Sequence, residues 1–388
     1  MKKRVQGVAR WLATPWGATL VVALAWGGHS AANLSRQPMY GPDMYVILDT
    51  LQDDHSAAAV WSWFTGHWVQ GPRYYRPVTS IVHWANFMLC GANPWGWRLT
   101  NVLIIAATFP ALTWLCDRAL AIPWAGPVAA LALTRLGPAS AMPHWPAWRT
   151  DALCGLFLLP ATGAAVEYLK RGAPRSLWLT LGMLLLALMS KEVAFIWPLF
   201  ALVLVLTLAR NRRGAVLLGA AFALTGTLWL LRVHLLGHPL TGLPTTHVHY
   251  SLAREVRGLL RTILDPVYVD MTTTYPLLLP NAGWWASAQF WVAFSADITF
   301  ILVNVLVGVA SVRLLGVIWA WRVLTYIPAM PFARLWEFYY YIPSLGTALL
   351  YGVAAVVLAR RVAQWVASTR TPRPDRADRG PSPDRPAR

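Results

Sequence analysis

A repeated series of apolar runs, most of them about 17–25 residues long and separated by short basic clusters, constrains this chain more than any other feature. Runs of that length match the hydrocarbon thickness of a bilayer. In hydrocarbon each backbone polar group must be satisfied within its own segment, so the runs are expected to be helices. They fall at 11–28, 94–116, 122–138, 150–168, 177–189, 193–208, 216–236, 289–312, 314–327 and 342–358. The expectation is an all-α polytopic membrane protein with about ten transmembrane helices. Composition agrees: 57% of residues are hydrophobic and only 13% charged. The 23 tryptophans gather near the ends of apolar runs, as interfacial belts do.

The formal charge of +17 raises the question of nucleic acid. Its distribution answers it, because Lys and Arg sit between apolar runs and in the tail. That pattern suits cytoplasmic loops and anionic lipid headgroups, not a nucleic-acid face. Alternation of the basic clusters places both termini in the cytoplasm. The 1–10 segment carries Lys2, Lys3, Arg4 and Arg10 ahead of the first run. A cleaved secretory signal ending near Ser30-Ala31-Ala32 is the alternative to a first span. Both readings put residues 33–76 outside the cytoplasm. Residues 1–368 form the membrane domain, and 369–388, rich in Pro, Arg and Asp, read as a disordered basic cytoplasmic tail. Three cysteines, Cys90, Cys116 and Cys154, show neither a disulfide framework nor metal spacing.

Two outer segments interrupt the spans. Residues 237–287 contain five prolines and an amphipathic stretch at 252–264. Residues 33–76 concentrate Asp43, Asp49, Asp53 and Asp54 in a chain with only 16 acidic residues, and end in Tyr74-Tyr75-Arg76-Pro77. The 76–91 segment then reads as a helix lying in the outer interface. Asp53 and Asp54 read as a solvated helix start, whereas Asp43 is flanked by Met39, Tyr40, Met44 and Tyr45.

Three further polar groups fall on the same side: Arg149 with Asp151, Lys191 with Glu192, and Arg334 through Tyr341. Ionisable residues at span ends are costly and are functional candidates by default. Pairing at a helical turn, capping, and burial as a structural acid are the inert readings of Lys191–Glu192, Arg149–Asp151 and Glu337. His247-Val-His249 is a weak metal signal, so no metal ligands are assigned. No cofactor is implied, and the need for a divalent metal stays open.

Several of these stretches resemble the GT-C membrane glycosyltransferases, in particular the TMTC-type O-mannosyltransferases and their bacterial relatives. The resemblance rests on Tyr75-Arg76-Pro77-Val78-Thr79 and on Gly91-Ala92-Asn93-Pro94-Trp95-Gly96-Trp97-Arg98-Leu99-Thr100-Asn101. It continues through Trp145–Asp151, Met189–Glu192 and Glu337–Gly346, in order, across most of the chain. It implies a GT-C fold without tetratricopeptide repeats and an active site on the periplasmic, outer face of a bacterial inner membrane. It further implies an inverting transfer, hexosyl or mannosyl by type, from a polyprenyl-phosphate donor to a glycan, lipid or protein acceptor. Asp43 would be the catalytic base. Arg76, Arg149 and Lys191 would hold the donor phosphate. Asp151, Glu192, Arg334, Glu337, Tyr339 and Tyr340 would support them. The chain departs from the family at Pro42, Asn86, Arg98 and Phe338. A transporter or flippase of lipid-linked sugars, and a non-catalytic scaffold subunit, are the rival expectations.

Overall fold

A computed structural model of the chain describes residues 10–35, 42–69, 74–237, 288–329 and 337–370. Among the described residues the protein is helical and contains no strand. Among the described residues, four helical segments are long and apolar enough to cross a membrane: Pro94–Leu120, Pro146–Arg171, Arg212–Leu236 and Phe338–Thr369. Pro174–Leu188, Glu192–Leu208 and Ile298–Ala310 are shorter apolar helices.

The amino-terminal half begins with α1 (Pro15–Ala32), capped by Thr14, whose hydroxyl accepts from the Gly17 amide. The outer segment then supplies α2 (Pro42–Asp53), α3 (Ala57–Thr65) and α4 (Pro77–Cys90). Next come α5 (Pro94–Leu115), which runs into a π turn at Cys116–Leu120, and α6 (Ala125–Leu133). Proline at the first position and an Asn93 cap start α5 where the sequence says it should. The 122–138 run does not form one span. α6 stops at Leu133, and the Gly137-Pro138 pair starts a separate short helix, α7 (Gly137–Ala141).

The long helix α8 (Arg149–Arg171) is the hub of the bundle, packing against both α5 and α9 (Pro174–Leu188). It ends at Gly172, whose φ of +72° suits a left-handed cap. α10 (Trp197–Leu208) follows a 3-10 turn at Glu192–Ile196, then α11 (Arg212–Leu236). α12 (Ala288–Ala310), α13 (Val312–Tyr326) and α14 (Tyr341–Arg370) close the bundle. α14 runs past the basic pair at Arg360-Arg361, because no breaker precedes Pro372. The rest of the expected tail lies outside the described residues. So do Arg334, the 252–264 stretch, His247 and His249.

Small residues allow the closest helix contacts. Gly352 of α14 sits on Ala125 and Ala129 of α6, and a Cβ there would strike the Ala125 carbonyl oxygen. Gly163 of α8 likewise accepts the Trp114 ring of α5. Apolar lipid cannot drive helices together, so this close van der Waals packing supplies the association. An interhelical hydroxyl pair, Thr19 with Thr113 at 2.6 Å, adds α1 to α5.

The acidic outer segment is not an irregular loop. α2 buries Met44, Ile47 and Leu51 against Trp63, Trp68, Val69 and Trp97. Asp43, Asp49, Asp53 and Asp54 stay exposed. Asp53 ends α2 instead of starting a helix. Asp54 accepts from the Ser56 amide at 2.9 Å, and Ser56 caps α3.

Candidate functional site

The site is assembled by one backbone clamp. The Val78 amide donates to the Met189 carbonyl at 3.2 Å, and the Thr79 hydroxyl donates to the Ser190 carbonyl at 3.0 Å. The start of α4 is thereby fixed to the Ser190-Lys191-Glu192 turn. Arg76, which precedes α4, meets Glu192 as a result. Its Nε lies 3.1 Å from both carboxylate oxygens and its Nη2 2.5 Å from Oε2, a bidentate fork. Arg232 of α11 approaches the same carboxylate at 3.6 Å.

One residue earlier in that turn, Lys191 donates to Asp151 Oδ2 at 2.5 Å. The Thr150 hydroxyl donates to the same oxygen at 3.2 Å. Asp151 stands in the first turn of α8, where the helix dipole favours a carboxylate. The Lys191 ammonium also lies 4.8 Å from the Phe338 ring and 5.0 Å from the Tyr339 ring. Arg76 lies over Tyr74 at 4.1 Å and over Trp68 at 4.8 Å. Such contacts stabilise a desolvated cation by about 0.5–2 kcal/mol.

Burial sets the electrostatics. It lowers the Lys191 ammonium below its ordinary range, and the Asp151 carboxylate restores only part of that loss. Burial also acts to lower Arg76, but Glu192 outweighs it and holds the guanidinium above its ordinary value. Three cations, Arg76, Lys191 and Arg232, face two carboxylates, Asp151 and Glu192. These side chains converge in a low-dielectric place, with aromatic rings against them. Such a site has chemical use for an anion.

The structure brings together Arg76, Asp151, Lys191, Glu192 and Tyr339. Arg149 goes elsewhere. It is fully buried, donating from Nε to Asn101 Oδ1 and the Pro146 carbonyl and from Nη2 to the Trp97 carbonyl, each at 3.1 Å. Tyr340 is buried and stacks on Tyr326 at 5.5 Å. The backbone of Glu337 opens the 3-10 turn that carries Phe338 and Tyr339. Asp43 stands exposed in the first turn of α2. Arg98, a departure from the family pattern, donates to the Ser35 carbonyl at 2.6 Å and ties the end of α1 to the wall of the bundle. Phe338, another departure, is the aromatic cover of Lys191.

Arg232 is the residue that sequence reasoning missed. The signal was present: an arginine inside an apolar run is a functional candidate by default. Arg322 is a second such residue, buried in α13 against Trp319 and Phe300. Gly346 of α14 leaves room for it, since a Cβ there would come within 2.8 Å of its Cγ. Among the described residues no group of His, Cys, Asp and Glu is arranged to hold a metal ion. No protein-family model matches this chain, and no characterised protein matches its sequence.

Proposed function

We propose that the chain is a GT-C-type membrane glycosyltransferase using a polyprenyl-phosphate sugar donor. The observation that carries this reading is the convergence of three cations in one buried cluster. Arg76, Lys191 and Arg232 meet around Asp151 and Glu192 beneath an aromatic cover. A lipid phosphate has the matching charge, and its isoprenoid tail suits the spaces between apolar helices. Arg76 and Arg232 offer planar forks for phosphate oxygens, and Lys191 a point charge. Ten spans, cytoplasmic termini and a site on the outer face of a bacterial inner membrane complete the reading.

The chemistry is an inverting displacement. An acceptor hydroxyl oxygen bonds to the anomeric carbon while the bond from that carbon to the phosphate oxygen breaks. The phosphate leaves with the electron pair, and its growing charge is met by the fixed cations. The hydroxyl proton passes to a carboxylate base, for which Asp43 in the adjoining outer segment is the assigned residue. Asp43 is solvent-exposed, as a base that meets an incoming acceptor needs to be before substrate closes over it.

The test is sugar transfer by purified protein in lipid, using polyprenyl-phosphate hexoses. Asp43→Asn should retain donor binding and lose at least about 10²-fold in turnover. Lys191→Ala should weaken donor binding more than Lys191→Arg does. Donor binding without transfer in the wild type, with Asp43→Asn indistinguishable from it, would favour a flippase or scaffold.

A further inference from the structure

Beside the ion-pair cluster lies a second polar compartment whose chemistry is unbalanced. Arg149 is fully buried, yet among the described residues no carboxylate pairs with it. Its three acceptors, at Asn101, Pro146 and Trp97, are all neutral, and its Nη1 has no partner within the protein. The guanidinium lies 4.9 Å from the Trp97 ring centroid. His83 stacks on the same ring at 5.6 Å with an interplanar angle of 26°.

The neighbours share the deficit. Both ring nitrogens of His83, both amide atoms of Asn86 one turn further along α4, and Trp68 Nε1 are buried without hydrogen-bond partners among the described residues. Trp68 meets His83 edge-on at 6.3 Å, while its face carries Arg76. The Trp68 indole is thus the wall between this compartment and the ion-pair cluster. Trp68 and Val69 also line an open surface depression of about 470 Å³, together with Thr50, Trp63 and His67. The Trp68 indole thus touches both His83 and that depression.

Each buried polar atom left unsatisfied costs about 1–3 kcal/mol. Six on these four neighbouring residues would consume a large part of a fold's net stability. An isolated buried cation costs several kcal/mol more. Water could satisfy the hydrogen bonds but not the charge. The groups are mostly donors: Trp68 Nε1, Arg149 Nη1, the Asn86 amide nitrogen and one His83 nitrogen. Asn86 Oδ1 and the other His83 nitrogen accept. We propose that Trp68, His83, Asn86 and Arg149 form a second ligand site for a small oxyanion that retains a hydroxyl hydrogen, a monoprotonated phosphate group. Its oxygens take the donors, its hydroxyl serves an acceptor, and its charge balances Arg149. This assignment does not rest on the glycosyltransferase reading.

The experiment is thermal unfolding of the full chain in lipid nanodiscs, titrated with inorganic phosphate against chloride at equal ionic strength. A saturable rise in the midpoint is expected in the wild type. Asn86→Leu should weaken the apparent phosphate affinity at least about tenfold, the loss of one charge-assisted hydrogen bond. Asn86→Asp supplies the missing anion from the protein itself. It should raise the midpoint without phosphate and abolish the phosphate response. A parallel titration with glycerol phosphate separates sources: a response to both assigns a phosphorylated group, and to inorganic phosphate alone a free anion. No saturable shift in the wild type would overturn the proposal. So would a shift that survives both Asn86 variants.

Discussion

Removing the charge of Asp151 tests the buried cluster most directly. The Lys191 and Asp151 side chains are 6% and 2% exposed, so solvent screens their attraction little. Asp151→Asn keeps the shape and the Thr150 contact but strands the ammonium. Breaking one partner of a buried pair costs about 3–5 kcal/mol. Lys191→Met strands the carboxylate instead and should cost a similar amount. The double variant leaves no unpaired charge, so it should be more stable than either single variant by at least about 2 kcal/mol. A pH dependence follows from the stranded lysine. Its native pKa, already lowered by burial, falls further without Asp151. Between that value and the unfolded 10.5, the unfolded chain binds more protons, so stability rises with pH. The Asp151→Asn deficit should therefore shrink as pH is raised towards 10.5. Denaturant unfolding in detergent at several pH values measures this, provided the slope with denaturant stays constant. Additive single costs with no rescue in the double variant would show that the two residues do not act as a pair.

Glu192→Gln should destabilise by less, about 1–3 kcal/mol, because the side chain is 23% exposed and the discount for solvent is larger; the same unfolding assay checks it. Gly352→Val should separate α6 from α14 and cost about 1–3 kcal/mol, read as a lowered thermal midpoint, whereas Gly182→Ala, which meets nothing within 4 Å, should not. Burial, with Arg149 nearby, keeps His83 neutral to a pH well below 6.5. The unfolded chain alone takes up that proton, so stability falls as pH drops below 6.5, by up to about 1.4 kcal/mol per pH unit. His83→Leu should flatten that fall. For topology, a cysteine at exposed Asp43 should label from outside and one at exposed Arg212 only from the cytoplasm; labelling of both from one side would refute the arrangement.

Helices were readable where a single physical requirement dominated. The bilayer-length runs at 94–116, 150–168 and 216–236 became helices because apolar length and backbone satisfaction point the same way. The 122–138 run failed because hydropathy is blind to the Gly137-Pro138 break. In the outer segment the helix-forming signal lay apart from the acids. Its acids drew attention, while the packing helix was written in Met44, Ile47 and Leu51, spaced three and four apart.

The site divides along the same line. The sequence could nominate Arg76, Asp151, Lys191 and Glu192 because each is an ionisable group beside an apolar run. It could not pair them, because partners are set by how α4 docks on the Met189–Ser190 carbonyls, a contact more than a hundred positions apart in the chain. Adjacent residues were natural partners on paper, yet Lys191 and Glu192 each pair with a different element. Arg149 and Asp151 also part company, as two residues apart on a helix do not share a face. That divergence gives the protein two polar groups with the Trp68 indole between them: one built of charge pairs, the other, among the described residues, holding a cation and no acid.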